Sequence, residues 1–189
     1  MHKLFCRKAK LCFKNQSCLA RGEKEGRMLQ FMRIPTIDRK AKRNGFETVL
    51  WDLGSTHNYV GIQHVEYMRF PKRKEHMSMV TLGGETKDML GTIYDCRIRD
   101  LHGRLFHFTM QSLENIMGDI KNDIGVETIR KLFPNIKNPE APVGISNIDY
   151  LIGQSNPSWH PVKTQRAVGG GDLWLWENGF GRYIAGSHP

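Results

Sequence analysis

No apolar run in the 189 residues approaches the roughly 18–20 that a membrane helix needs, so a helical span is excluded. Cysteine is scarce, with four residues at positions 6, 12, 18 and 96. The first three follow a C-x5-C-x5-C spacing. Compact zinc sites use closer pairs, because two thiolates must close on one tetrahedral ion, so no metal is expected. An even count in a chain this long does not make a disulfide framework, and free thiols in a reducing compartment are expected. Residues 1–20 lack both acids and a continuous apolar stretch, so no secretory signal is expected.

Other motifs are missing too. The eight histidines include no H-E-x-x-H and no close i, i+4 pair, which makes them surface or structural residues. Gly169-Gly170-Gly171 lacks the Lys-[Ser/Thr] of a phosphate loop and reads as a connector into the last strands. Gly153-Gln154-Ser155-Asn156-Pro157 lacks the final glycine of a nucleophile elbow.

What is present is charge of one sign at one end. The net charge is +9, and residues 1–50 hold 13 Lys and Arg against 4 Asp and Glu. Residues 51–189 hold 15 of each and are neutral. Residues 1–27 read as a basic, disordered arm, and contact with RNA phosphates through residues 1–43 is what the charge supports. Only Phe5 and Phe13 interleave with those charges, so the arm offers no stacking platform.

From residue 28 the pattern changes to short strands with frequent turns. Residues 28–34 read as a strand stopped by Pro35, and Asn44-Gly45 marks a hairpin into a strand over 46–51. A strand is expected over 77–82, ended by Gly83-Gly84. Thr92, Tyr94, Cys96 and Ile98 alternate with polar neighbours, and Phe106, Phe108 and Met110 alternate in a returning strand. Val126, Ile129, Leu132 and Phe133 have helical spacing, stopped by Pro134. Short strands follow at 148–152, 173–176 and 180–185. The fold class is mostly β, a barrel or sandwich with one or two short helices. One domain over 28–189 accounts for it.

The stretch that carries chemistry is Thr48-Val49-Leu50-Trp51-Asp52-Leu53-Gly54-Ser55-Thr56. An apolar strand runs straight into Asp52, placing a carboxylate on a tight loop at the end of a rigid element. Gly54 allows close backbone approach and amides aimed at the carboxylate, and Ser55 and Thr56 can bond within the loop.

This block, taken with three others in order, resembles the aspartic peptidase of Pao-type (BEL/Pao) retrotransposon polyproteins, a relative of the retropepsins. Leu50 to Val60 is similar to the family's catalytic loop and following strand. Thr81-Leu82-Gly83-Gly84-Glu85 is similar to the start of its flap hairpin. Ile148-Asp149-Tyr150-Leu151-Ile152-Gly153 is similar to the strand that passes beneath the catalytic loop. Leu173–Trp176, Phe180-Gly181 and the closing Ala185-Gly186-Ser187-His188-Pro189 are similar to its last block.

The resemblance implies a retropepsin-like acid-protease β-barrel with one half-site per chain. Asp52 would be catalytic, with Leu53, Gly54, Ser55 and Thr56 shaping its loop. Leu82, Gly83 and Gly84 would form the flap over the substrate, and Leu151, Ile152 and Gly153 would support the loop. It implies no cofactor, a polyprotein substrate, and a cytoplasmic or retroelement-particle location for what reads as a piece of a polyprotein.

Peptide hydrolysis by carboxylates needs two of them sharing a proton around one water. A D-x-G followed by Ser or Thr occurs once, at Asp52 to Ser55, so the enzyme would be a homodimer with an Asp52/Asp52′ dyad. Leu53 stands where the family carries Ser or Thr, whose hydroxyl bonds across the dimer axis. Losing each such bond costs about 0.5–1.5 kcal/mol. The alternative reading is therefore an inactive remnant that keeps the fold as a protein- or RNA-interaction module. Gln154-Ser155 also departs from the charged continuation common in retropepsins.

Overall fold

The computed structural model describes residues 26–28, 30–36, 45–80, 86–114, 116, 120–121, 124–137, 144–145, 148–169 and 171–188. Among the described residues thirteen strands run in chain order: β1 (Gly26–Met28), β2 (Phe31–Pro35), β3 (Phe46–Trp51), β4 (Tyr59–Gly61), β5 (Lys72–Val80), β6 (Thr86–Arg99), β7 (Leu105–Leu113), β8 (Ile120–Lys121), β9 (Gly144–Ile145), β10 (Tyr150–Ile152), β11 (Val162–Arg166), β12 (Asp172–Asn178) and β13 (Gly181–His188). Two short helices, α1 (Ile62–Met68) and α2 (Val126–Leu132), interrupt them. No described helix is long and apolar enough to cross a membrane.

Seven strands form one sheet in the order β2-β3-β10-β4-β7-β6-β5, and four form another in the order β1-β13-β12-β11. The main core gathers side chains from both: Val49, Trp51, Tyr150, Ile152, Cys96 and Met110 from the first, Tyr183 and Ala185 from the second. A second cluster packs Ile129, Leu132 and Phe133 of the α2 region on Leu173, Leu175 and Ile184. A third covers the other face of β3 and β10 through Leu50, Leu151 and Ile148. The second half of β3, Val49–Trp51, and β10 are thus covered on both faces, which is why they read as unbroken apolar runs rather than alternating ones.

The expected mostly-β class with short helices is present, but the described residues do not close a barrel. β2 and β5 remain open edges. β2 ends at Pro35, which has no N–H to offer a further strand. β5 exposes Lys72, Arg73, Lys74 and Glu75 along its free side, charges that discourage further pairing.

Other boundaries move. The single strand expected over 28–34 is two, and β1 begins at Gly26, inside the expected arm. Pro35 ends β2 as part of the ladder, opposite Phe46. β5 begins at Lys72 rather than 77, because its ladder with β6 continues through the charged residues 72–76. Helix α1 and strand β11 were not expected at all. Residues 1–25, with Cys6, Cys12 and Cys18, and the turn expected over 38–45 up to Asn44 lie outside the described residues.

At the β6–β7 turn, Asp100 is buried and accepts the amides of His102 and Arg104 and the Arg104 Nε. Burial by itself would raise its carboxyl. The Arg104 bonds and charge and the His102 amide outweigh that and hold it below the ordinary carboxylate range.

Candidate active site

The site is built by one strand threaded between two others. β10 pairs parallel with β3, Ile152 opposite Trp51, and antiparallel with β4, Tyr150 opposite Val60. The chain leaves β3, forms the loop over 52–58 and returns as β4, with β10 filling the gap beneath. Asp52 N–H donates to the Ile152 carbonyl at 2.9 Å, and Gln154 N–H donates to the Ser55 carbonyl at 2.7 Å. The loop is therefore tied at both ends to the segment that crosses it.

Gly153 sits at the crossing. A Cβ there would lie 2.4 Å from the His57 carbonyl oxygen and 2.5 Å from that of Ser55. Real Cβ atoms do not come so close, so only glycine lets β10 pass. Its N–H donates to Asn58 Oδ1 at 2.9 Å, while Asn58 Nδ2 donates to Asn156 Oδ1 at 3.0 Å. His160 Nε2 donates to the Gly153 carbonyl at 2.8 Å and stands edge-on to Trp51, centroids 5.5 Å apart. The Gln154 side chain donates to the Leu53 carbonyl.

Within the loop, Gly54 N–H donates to Asp52 Oδ1 at 2.9 Å, which aims one amide at the carboxylate. Ser55 Oγ donates to the His57 carbonyl at 3.0 Å, and Thr56 Oγ1 lies 2.8 Å from His57 Nδ1. Asp52 is half-buried, whereas Gly54, Thr56 and His57 are exposed and Leu53 is 52% exposed. The loop carries a half-buried carboxylate and rests on β10. Tyr59 borders it: burial, then the Asp52 charge, raises the phenol pKa, while a bond with Ser55 lowers it.

Beneath β3 and β10 lies a buried polar network. His64 Nε2 is 2.7 Å from the Tyr150 hydroxyl and 3.6 Å from Glu47 Oε1, and His64 Nδ1 is 3.4 Å from Asp149 Oδ1. Asp149 Oδ2 also accepts the Thr48 amide at 2.7 Å. These contacts fasten α1 to the strands that carry the loop.

The structure brings Asp52, Leu53, Gly54, Ser55 and Thr56 together with Leu151, Ile152 and Gly153. Leu82, Gly83 and Gly84 lie outside the described residues, although β5 and β6 form the antiparallel hairpin that leads to them, Val80 opposite Thr86. Asn58, Tyr59, Gln154 and His160 were missed as site residues. Asn58 sits six residues after Asp52, and only a three-dimensional crossing links it to Gly153.

Chemically, one carboxylate with one amide donor cannot both activate a water and protonate a carbonyl. Compared with family models, curated proteins and solved structures, the chain matches none.

Proposed function

We propose that this protein is one subunit of a homodimeric aspartic endopeptidase of retroelement type, acting on a polyprotein. The observation that carries the reading is the passage of Tyr150-Leu151-Ile152-Gly153 between β3 and β4, which ties the loop bearing Asp52 at both ends. Two such loops facing each other would place two carboxylates around one water. They cannot both ionise at about 3 Å, so one would act as base while the protonated one polarises the scissile carbonyl. The β5–β6 hairpin would cover an extended substrate paired through its main chain.

A second reading rests on Leu53. Its side chain is 52% exposed beside Asp52 and offers no hydroxyl to a partner loop. That favours a silent remnant retained as an interaction module.

Incubation with a mixed peptide library at about pH 5, where a shared-proton pair is competent, decides between them. The peptidase reading expects cleavage that Asp52→Asn abolishes. Folded protein that cleaves nothing, with activity recovered in Leu53→Ser, would assign the chain to the remnant. Silence in both would remove the peptidase reading.

A further inference from the structure

β11 and β12 carry a second feature, away from the Asp52 loop and independent of the peptidase reading. Arg166 lies opposite Trp174, and Trp174 opposite Ala185; Lys163 lies opposite Trp176, and Trp176 opposite Tyr183. Two rows, each of a cation, an indole and a β13 residue, therefore run side by side across the sheet. Lys163 Nζ is 4.9 Å from the Trp174 ring centroid and 5.3 Å from that of Trp176. The Arg166 guanidinium is 5.8 Å from Trp174, also within cation–π range.

The groups are held in place. Trp174 Nε1 donates to Asp172 Oδ1 at 2.7 Å. Arg166 donates from Nε and Nη2 to the Gly171 carbonyl at 3.1 and 2.8 Å. Trp176 stacks on Tyr183, interplanar angle 12°. Lys163 and Arg166 are exposed and the two indoles half-buried. Lys163 and the two indoles, together with Asp172 and Ala185, line an open recess of about 260 Å³. That is below the roughly 300–1,000 Å³ of small-molecule pockets and suits one flat ring of a longer polymer.

We infer that this face of β11 and β12 binds single-stranded nucleic acid, a base stacking at Trp174 and Trp176 while Lys163 and Arg166 meet phosphates. Stacking platforms flanked by cations are the general means of holding unpaired strands, because every base has a flat face. A base entering the recess displaces the Lys163 ammonium from the rings towards the backbone phosphate. Asp172 opposes the phosphates, but its carboxylate is engaged by the Trp174 N–H. Charge complementarity extends along the chain: β1 pairs with β13 at Gly186–His188, next to Ala185, and residues 1–50 hold 13 Lys and Arg against 4 acids.

The test is fluorescence anisotropy of an end-labelled oligouridine RNA with the full chain at about 50 and 200 mM salt, a range over which phosphate contacts weaken visibly. Trp174→Ala should weaken binding about tenfold or more with the salt slope unchanged. Trp174→Phe should retain most of the affinity. Lys163→Ala with Arg166→Ala should make the slope shallower by about 1.4. Wild-type protein that does not bind RNA, folded Trp174→Ala that binds as wild type, or a polyglutamate peptide that competes equally would each overturn the proposal. If Trp174→Ala fails to fold, the exposed Lys163/Arg166 double variant decides, and an unchanged affinity and slope would overturn it.

Discussion

The Asp52 loop and the β5–β6 hairpin are both excursions from the same seven-stranded sheet, yet they are held by opposite means. The loop is pinned from below by a strand that belongs to another part of the chain. Its supports, Gly153, Gln154 and His160, lie about a hundred positions further along the chain, and Gly153 meets the loop at Asn58. The hairpin is held by its own ladder and by exposed pairs such as Arg73–Asp95 at 2.8 Å and Lys74–Thr92 at 2.6 Å. Exposed pairs of this kind contribute little, commonly under about 1 kcal/mol. The difference separates a part built for fixed geometry from one whose opening leaves the core intact.

The sharpest way to break the comparison is to make the same substitution in each part. Gly153→Ala drives a methyl into two backbone carbonyls that have no room to move. A loss of about 3–5 kcal/mol is expected, a fall of roughly 10 °C in the melting temperature followed by circular dichroism. Asn58→Ala comes next. It strands the buried Gly153 N–H, at a cost of about 1–3 kcal/mol in urea unfolding.

An alkaline titration should act through the same crossing. Burial first, then nearby negative groups led by Glu47, raises the Tyr150 phenol well above its ordinary value. A raised folded-state value means that the stabilisation is complete below the unfolded pKa near 10 and is lost as pH rises towards the folded value. The melting temperature should therefore hold to about pH 9 and decline by a few degrees above pH 10, with slow amide exchange at Asp52 and Gln154 lost together. A flat profile to pH 11 would contradict this. The smallest effect is expected from Gly91→Ala in the hairpin. There the new methyl meets the Cε and Sδ of Met77, the far end of a flexible side chain. The change should cost under about 1 kcal/mol and leave the Asp52 loop undisturbed by amide exchange.

The sequence carried the strands whose side chains alternate or run apolar: 46–51 was read to the residue, and Cys96, Ile98, Phe108 and Met110 point inward as their spacing implies. It could not carry β5, where Lys72 to His76 show no apolar period and only cross-strand pairing keeps them extended. Helix α1 was missed for a related reason. It is seven residues long and buries His64 with Val65, so its inward face contains a polar ring that pattern reading assigns to the surface. Asp52 and its glycine were legible because they are contiguous. Their supports were not, because a threaded strand joins residues with no local signature. Edge closure was misjudged too, since a basic strand such as β5 looks the same in sequence whether its free side is covered or open.

The central claim is that each chain supplies one carboxylate and that two chains make the site. Its most direct test follows the rate of peptide cleavage against protein concentration, for wild type alone and mixed with an equal amount of Asp52→Asn. The account predicts a rate that rises more than linearly with concentration and, at constant total protein, falls to about a quarter in the mixture, because the dimers that hold two carboxylates fall about fourfold. A rate strictly proportional to wild-type protein and unaffected by the Asp52→Asn chain would contradict it.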